Sequence, residues 1–306
     1  MTDPAGDGQP DLLVRLAEEL ADTVSGRYRI ERADAVELIL ASWSRRPPLV
    51  AAARRAASAA EIRRLRVYRE ATTEAKRAVY HRLRRYRPAG AEADVALAAL
   101  TGLAPDVSPE QRAAAVAAVV AGHASTAERL DHLDAFLTRL VACLGAAATV
   151  VDVGCGVLPM LFPFDGAAGT RVREWWALDR DRQACAALSA YARLRADDRL
   201  RPVRWDLADG WPRLADAAAL PARFDVGLLL KVVPVVARTD PKLVRTLAQT
   251  PADRLVVSGC RAALARRQDI ERRETAVLQR FFTEYGFAVV DRFRTPDEVC
   301  FVVERR

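Results

Sequence analysis

The spacing of apolar positions changes character once along the chain. Up to about residue 122 they recur at helical intervals, and "DLLVRLAEELADTV" and "ADAVELILASW" each put an apolar stripe on one helix face. Pro47 and Pro48 break this pattern. "AEIRRLRVYREATTEAKRAVYHRLRRYRP" follows as a long basic helix or helix pair, with Tyr68, Tyr80 and Tyr86 set among arginines. Ser108, Pro109 and Gly122 frame a further helix as cap, first-turn proline and stop. No strand candidate stands before residue 148.

Beyond that point short β-branched runs take over. "TVVDVGCG", "EWWALDRD", "FDVGLLLK", "RLVVSG", "FAVVDRF" and "EVCFVVE" read as strands, and helical stretches such as "RQACAALSAYARLRA" separate the earlier ones. Strands alternating with helices predict an α/β fold with a parallel, doubly wound sheet. Only "RTPD" lies between the last two strands, which predicts a terminal antiparallel hairpin. The expected organisation is an all-helical domain over 1–122 and an α/β domain over 123–306.

Composition narrows the function. No apolar run is long enough to span a membrane, and the polar "MTDPAGDGQP" lacks a signal-peptide pattern. The five cysteines are odd in number and include no CxxC, so neither a disulfide framework nor a zinc site is expected, and a cytoplasmic location fits. Of the 47 basic residues only Lys76, Lys231 and Lys242 are lysines, as a GC-rich genome would give. The net charge of +7 is unevenly placed: residues 27–87 hold 17 Arg or Lys against six Asp or Glu. Such a segment suits a polyanion, and Arg63, Arg64, Arg66, Lys76, Arg77, Arg82, Arg84 and Arg85 are its candidate phosphate contacts.

Ligands of doubly wound sheets bind at the carboxyl ends of the strands. There the first strand presents Asp152, Gly154 and Gly156, with glycines that let a ligand approach the backbone. The second ends in Asp179, placed to accept from ribose hydroxyls, and Asp206 in "VRWDLAD" follows the third, where it can read an adenine amino group. Pro159 stands where a pyrophosphate loop needs its third glycine, which disfavours a dinucleotide. This order of G-x-G, acid, acid and hairpin resembles the class I S-adenosylmethionine-dependent methyltransferases. No catalytic nucleophile or Asn/Asp-Pro-Pro-aromatic motif is visible; the fourth strand runs into "LLLKVVPVV". A ring nitrogen with an in-plane lone pair needs mainly alignment.

In "GHASTAERL", Ser125 and Glu128 have the spacing of a capping box. Arg129 lies in the first turn, where the helix dipole disfavours a cation. The stretch resembles the HASTxERL signature of the aminoglycoside-resistance 16S rRNA methyltransferases. "ADAVELILASW", "EAKRAVYHRL", "VVDVGCGVLP" and "LLLKVVPVV" resemble other parts of that family in order. The resemblance implies an enzyme that uses S-adenosyl-L-methionine to methylate N7 of guanine 1405 in 16S rRNA of the assembled 30S subunit, acting as a monomer. Carried over, it implies a cofactor pocket of His123, Ala124, Ser125, Arg129, Gly154, Asp179, Asp206, Leu207 and Leu230, with Arg129 facing the cofactor carboxylate.

Leu158 replaces the family's Asn, and "SGCRAALARR", with Arg261 as a further candidate for rRNA, replaces its S-F-P-T-x-S-L-type loop. The resemblance puts that loop on the side of the target base, so adenine N1 at another position stays open. So do a non-catalytic RNA-binding relative, which the intact acids and glycines oppose, and a small-molecule methyltransferase, which the basic helices oppose.

Overall fold

Five helices open the chain: α1 (Leu12–Tyr28), α2 (Arg32–Ser44), α3 (Pro47–Arg55), α4 (Ala59–Arg64) and α5 (Arg66–Leu83). Pro47 and Pro48 start α3, occupying first-turn positions that need no N–H partner. The long basic stretch is a helix pair broken at Leu65. Ser58 caps α4 by accepting from Glu61 N at 3.4 Å, while Glu61 Oε2 accepts from Ala57 N at 2.9 Å. The apolar stripes of these helices meet in one core, with Leu16, Ile39, Trp43, Leu49, Ile62 and Val79 fully buried and Trp43 tilted on Tyr68.

The structure, a computed structural model, describes residues 12–28, 32–83, 90–167, 169–261 and 270–306. The chain divides into two compact units, Met1–Gly90 and Ala91–Arg306, so the division stands ahead of the boundary read from sequence after Gly122. The reason is that α6 (Gly90–Thr101) and α7 (Pro109–Ala121) put Leu100, Val116, Val119 and Val120 into the core of the sheet unit. A reciprocal capping box between Ser108 and Gln111 starts α7. A single turn, α8 (Ala124–Ala127), and α9 (Leu133–Leu144) lead into the sheet.

The sheet strands are β1 (Thr149–Val153), β2 (Glu174–Asp179), β3 (Leu200–Arg204), β4 (Phe224–Leu230), β5 (Ala252–Cys260), β6 (Phe287–Arg294) and β7 (Glu298–Arg305). Their order is β3-β2-β1-β4-β5-β7-β6, and β7 enters antiparallel between β5 and β6. The helices α10 (Arg182–Arg195), α11 (Gly210–Ala218), α12 (Val232–Thr239), α13 (Val244–Ala248) and α14 (Ile270–Glu284) connect the strands. One face packs Val150, Trp175, Leu228 and Val302 with Phe136 and Leu140 of α9 and Leu188 of α10. The other packs Val151, Leu178, Leu229 and Phe301 with Trp211, Val233 and Phe282. Two buried faces explain why β1, β4 and β7 read as apolar runs without alternation. Among the described residues no helix is long and apolar enough to cross a membrane.

Candidate cofactor site

The strand order reverses between β1 and β4, and the carboxyl end of β1 is the natural cleft. Gly154 and Gly156 both have positive φ, 70° and 54°. A Cβ at Gly154 would meet Val232 at 3.2 Å, and one at Gly156 would stand 3.7 Å from Ser125 Oγ and 3.8 Å from Thr126 Oγ1. The HAST segment therefore lies over the glycine loop. Pro159 sits buried in a tight 3-10 turn, Leu158–Leu161, and no long helix starts there for a pyrophosphate.

The three acids fall at successive strand ends, as the sequence order predicts. Asp179 Oδ2 accepts from Gly156 N and Oδ1 from Asp181 N, both at 2.8 Å, so it ties the glycine loop to the end of β2. Burial pushes its carboxyl up, against those two N–H donors. Asp206 stands just beyond β3, half-buried, and accepts from Ala208 N at 2.9 Å; Leu207 beside it is also half-buried. Leu230 closes β4 and is buried.

Asp152 differs from the other two. It is fully buried, and neither carboxylate oxygen has a hydrogen-bond partner among the described residues. The hydroxyl of Thr126, also fully buried, is likewise unpartnered. Burial pushes the Asp152 carboxyl up to about 7; Arg129 opposes that and Asp179 adds to it. An orphaned buried acid beside the glycine loop fits a ligand with a cationic end, and such groups call for a partner.

The opening turn of the HAST segment departs from the sequence expectation. Ser125 is not its cap. The His123 carbonyl accepts from Thr126 N and Ala127 N at 2.9 and 2.8 Å, so the turn starts earlier, at Ala124. Glu128, expected to close a capping box, instead pairs with Lys231 Nζ at 2.8 Å. The guanidinium of Arg129, which the resemblance turns toward a cofactor carboxylate, closes on Glu298: Nε pairs with Oε1, and the second nitrogen donates to Oε2 at 3.1 Å. It also donates to Ser125 O at 3.2 Å and lies over the Phe136 ring.

Two residues of this cluster escaped the sequence reading. Glu298 accepts from Ser258 Oγ at 2.6 Å and stands 3.7 Å from Lys231 Nζ. Burial alone would raise its carboxyl, but Arg129 and Lys231 hold it below the ordinary range. Lys231 follows β4 in the left-handed region, φ 60°, and its N–H donates to Ser258 Oγ at 3.0 Å. The αL backbone of a buried lysine at a strand end was the missing signal.

The candidate rRNA contacts divide into several groups. Arg63 pairs with Glu19 and Arg66 with Glu70. Arg64 and Lys76 are exposed, with no ion pair among the described residues. Arg77 and Arg82 lie on α5, while Arg84 and Arg85 lie outside the described residues, as do 262–269 of the divergent loop. Arg261, in the other unit, is held by Glu271 Oε2 at 2.8 Å and the Thr295 carbonyl at 2.5 Å.

The sheet order with its antiparallel seventh strand, the glycine loop and the acid ending β2 define the class I methyltransferase fold. The chain belongs to the ribosomal RNA methyltransferase (FmrO) family, whose profile matches residues 52–302. It is 30% identical over 172 residues to the 16S rRNA (guanine(1405)-N(7))-methyltransferase of Micromonospora olivasterospora, covering 55% of this chain and 54% of that protein. It is 34% identical over 133 residues to the enzyme of that name from Frankia casuarinae, covering 42% of each. The aligned part thus spans about half the length of these relatives. Among solved structures, 16S rRNA methyltransferase RmtF in complex with S-adenosyl-L-homocysteine aligns at TM-score 0.65 and 23% identity, over 98% of this chain and 100% of that one. The 16S rRNA methylase RmtB aligns at 0.58 and 18%, over 95% and 98%.

Proposed function

We propose that this chain transfers the methyl group of S-adenosyl-L-methionine to N7 of guanine 1405 of 16S rRNA in the 30S subunit, and so confers aminoglycoside resistance. The observation that carries the reading is the HAST segment seated over the glycine loop, with Asp152 left unpartnered beside it. Support comes from the family membership and from the names of the aligned relatives.

The cofactor supplies an electrophilic methyl on a sulfonium. The chain's part is binding and alignment. Gly154 and Gly156 admit it against the backbone, Asp179 accepts from its ribose hydroxyls, and Asp206, Leu207 and Leu230 border its adenine. His123, Ala124 and Ser125 form one wall, which Arg129 holds in place through Glu298. Guanine N7 carries no proton and offers an in-plane lone pair, so the transfer needs no general base, and alignment supplies the rate.

The basic helices of the helical unit dock on rRNA phosphates while the sheet unit carries the chemistry, in a cytoplasmic protein acting as a monomer. Primer extension across 16S rRNA from treated 30S subunits, after cleavage at N7-methylguanine, tests this. A stop at guanine 1405 is expected. A stop at an adenine blocked at N1 replaces the target, and no stop on 30S subunits removes the proposal.

A further inference from the structure

The carboxyl end of the sheet carries a second cluster of charge, away from the three acids. Arg261 follows β5, and Arg292 and Arg294 lie toward the end of β6, which runs parallel to β5 because both pair antiparallel with β7. All three gather on one carboxylate, Glu271 in the first turn of α14. Arg261 Nε stands 2.8 Å from its Oε2, Arg294 Nε 2.7 Å from its Oε1, and Arg292 3.7 Å from the same Oε1. The Thr295 carbonyl fixes Arg261 further, and the Arg292 guanidinium lies over the Phe301 ring, 5.0 Å from its centroid.

An exposed pair such as Arg254 with Glu304 carries no net charge. Three guanidiniums on one carboxylate leave two positive charges over. Asp291, another acid of β6, pairs with Arg139 at 3.6 Å, and with Asp297 of the turn counted the three arginines still outnumber the acids. Arg272 and Arg273 stand exposed in the same first turn of α14. Arg261 above all, then Arg294, holds the Glu271 carboxyl below its ordinary range, so it is ionised at neutral pH. The side chains of Arg292 and Arg294 are 41% and 54% exposed, open to a further anion. A planar guanidinium already held by packing and by one acid suits a phosphate, which it can meet with two N–H donors.

We propose that Arg292 and Arg294, gathered with Arg261 on Glu271, form a phosphate-binding surface of the sheet unit that grips the RNA backbone beside the target base. This rests on reading the chain as an rRNA methyltransferase. The acids given to the cofactor end β1 and β2 and follow β3, which leaves the β4, β5, β7 and β6 half of the same sheet end to the substrate. The surface is separate from the basic helices, so the RNA gains a point of attachment on the unit that carries the chemistry. Glu271 poses the guanidiniums before the RNA arrives, and its own charge opposes the phosphate. The rival is that the cluster only fastens α14 to β6.

The test is filter binding of the full chain to 30S subunits at two ionic strengths, with S-adenosylhomocysteine affinity and the thermal midpoint measured on the same proteins. Arg292→Glu with Arg294→Glu should weaken 30S binding about tenfold and lower the salt slope by about 2, with cofactor-product affinity unchanged. Glu271→Gln keeps every arginine and removes only the anion. It should tighten 30S binding about threefold and steepen the salt dependence, even with a lower thermal midpoint. If the charge-reversed protein does not fold, Glu271→Gln decides alone. A Glu271→Gln protein that is less stable and binds 30S subunits no better overturns the proposal. Charge reversal that leaves 30S affinity and salt slope at wild-type values overturns it too. In both cases a wild type that still binds and methylates 30S subunits keeps the methyltransferase reading; a wild type that does neither removes both.

Discussion

Arg129 and Glu298, separated by 169 positions in the chain, form an ion pair with side chains only 5% and 0% exposed. The pair joins the HAST segment to the start of β7, and through Ser258 to β5. Two charges taken from water cost several kcal/mol, repaid only by close geometry and further hydrogen bonds.

Removing one partner should therefore be far worse than removing both. Glu298→Gln is expected to lower stability by about 3–5 kcal/mol, because it strands a buried guanidinium. A double variant, Arg129→Met with Glu298→Leu, should recover at least half of that loss. Chemical denaturation of the three proteins checks this; a double variant as unstable as the single one would show that the pair itself contributes the stability.

Asp152 makes the free protein sensitive to alkali. Its carboxyl is raised from 3.8 to about 7 in the fold, so the folded state binds the proton more tightly. Its stabilising contribution is full below the unfolded value and is lost as pH rises through about 7. The loss is of order 4 kcal/mol by the size of the shift. The thermal midpoint of the wild type should fall between pH 5 and 8 by several degrees more than that of Asp152→Asn. Parallel pH profiles for the two proteins would contradict the assignment.

Asp179 ties the glycine loop to the end of β2, and the proposed function gives it the ribose hydroxyls as well. Asp179→Ala removes the acceptor of Gly156 N and Asp181 N and should weaken S-adenosylhomocysteine binding by roughly 2–3 kcal/mol, the scale of a charged hydrogen-bond site. Calorimetry reads the affinity, and circular dichroism establishes that the variant is folded. Unchanged affinity would place the ribose elsewhere.

Arginines of the helical unit should not contribute equally to rRNA binding. Arg64 and Lys76 are exposed cations, whereas Arg63 and Arg66 are partly neutralised by Glu19 and Glu70. Each phosphate that the protein no longer neutralises lowers the salt slope of binding by about 1. Arg64→Glu with Lys76→Glu should weaken 30S binding and flatten its salt dependence more than Arg63→Ala with Arg66→Ala. Filter binding at two ionic strengths compares them, and equal effects would mean that internal pairing does not select the contacts.

Periodicity made most of the fold legible. The strand ends at Asp152 and Asp179 and the terminal hairpin follow from local spacing, which is where local backbone preferences act, whereas the spacing left one long basic helix or a pair open and the break at Leu65 came from the structure. The glycine loop was legible for the same reason. What stayed hidden was long-range. Glu128 has the spacing of a capping box, but Lys231, 103 positions away, offers it a full charge in place of a backbone N–H. Arg129 reads as a first-turn cation, and its partner Glu298 is brought beside it by a strand insertion that no local pattern encodes. The unit boundary moved because α6 and α7 carry apolar faces whose partner, the core beside β1 and α9, lies later in the chain.

The place of β7 in the sheet carries a consequence for synthesis. Chains are made from the amino end, and of the residues in the buried charge network Glu298 is the last to be joined. Until β7 slides between β5 and β6, Arg129 and Lys231 lack their shared anion and the wall over the glycine loop has no anchor. The cofactor wall is thus the last part of the site to be secured, since it waits on a strand made after both of the strands that flank it.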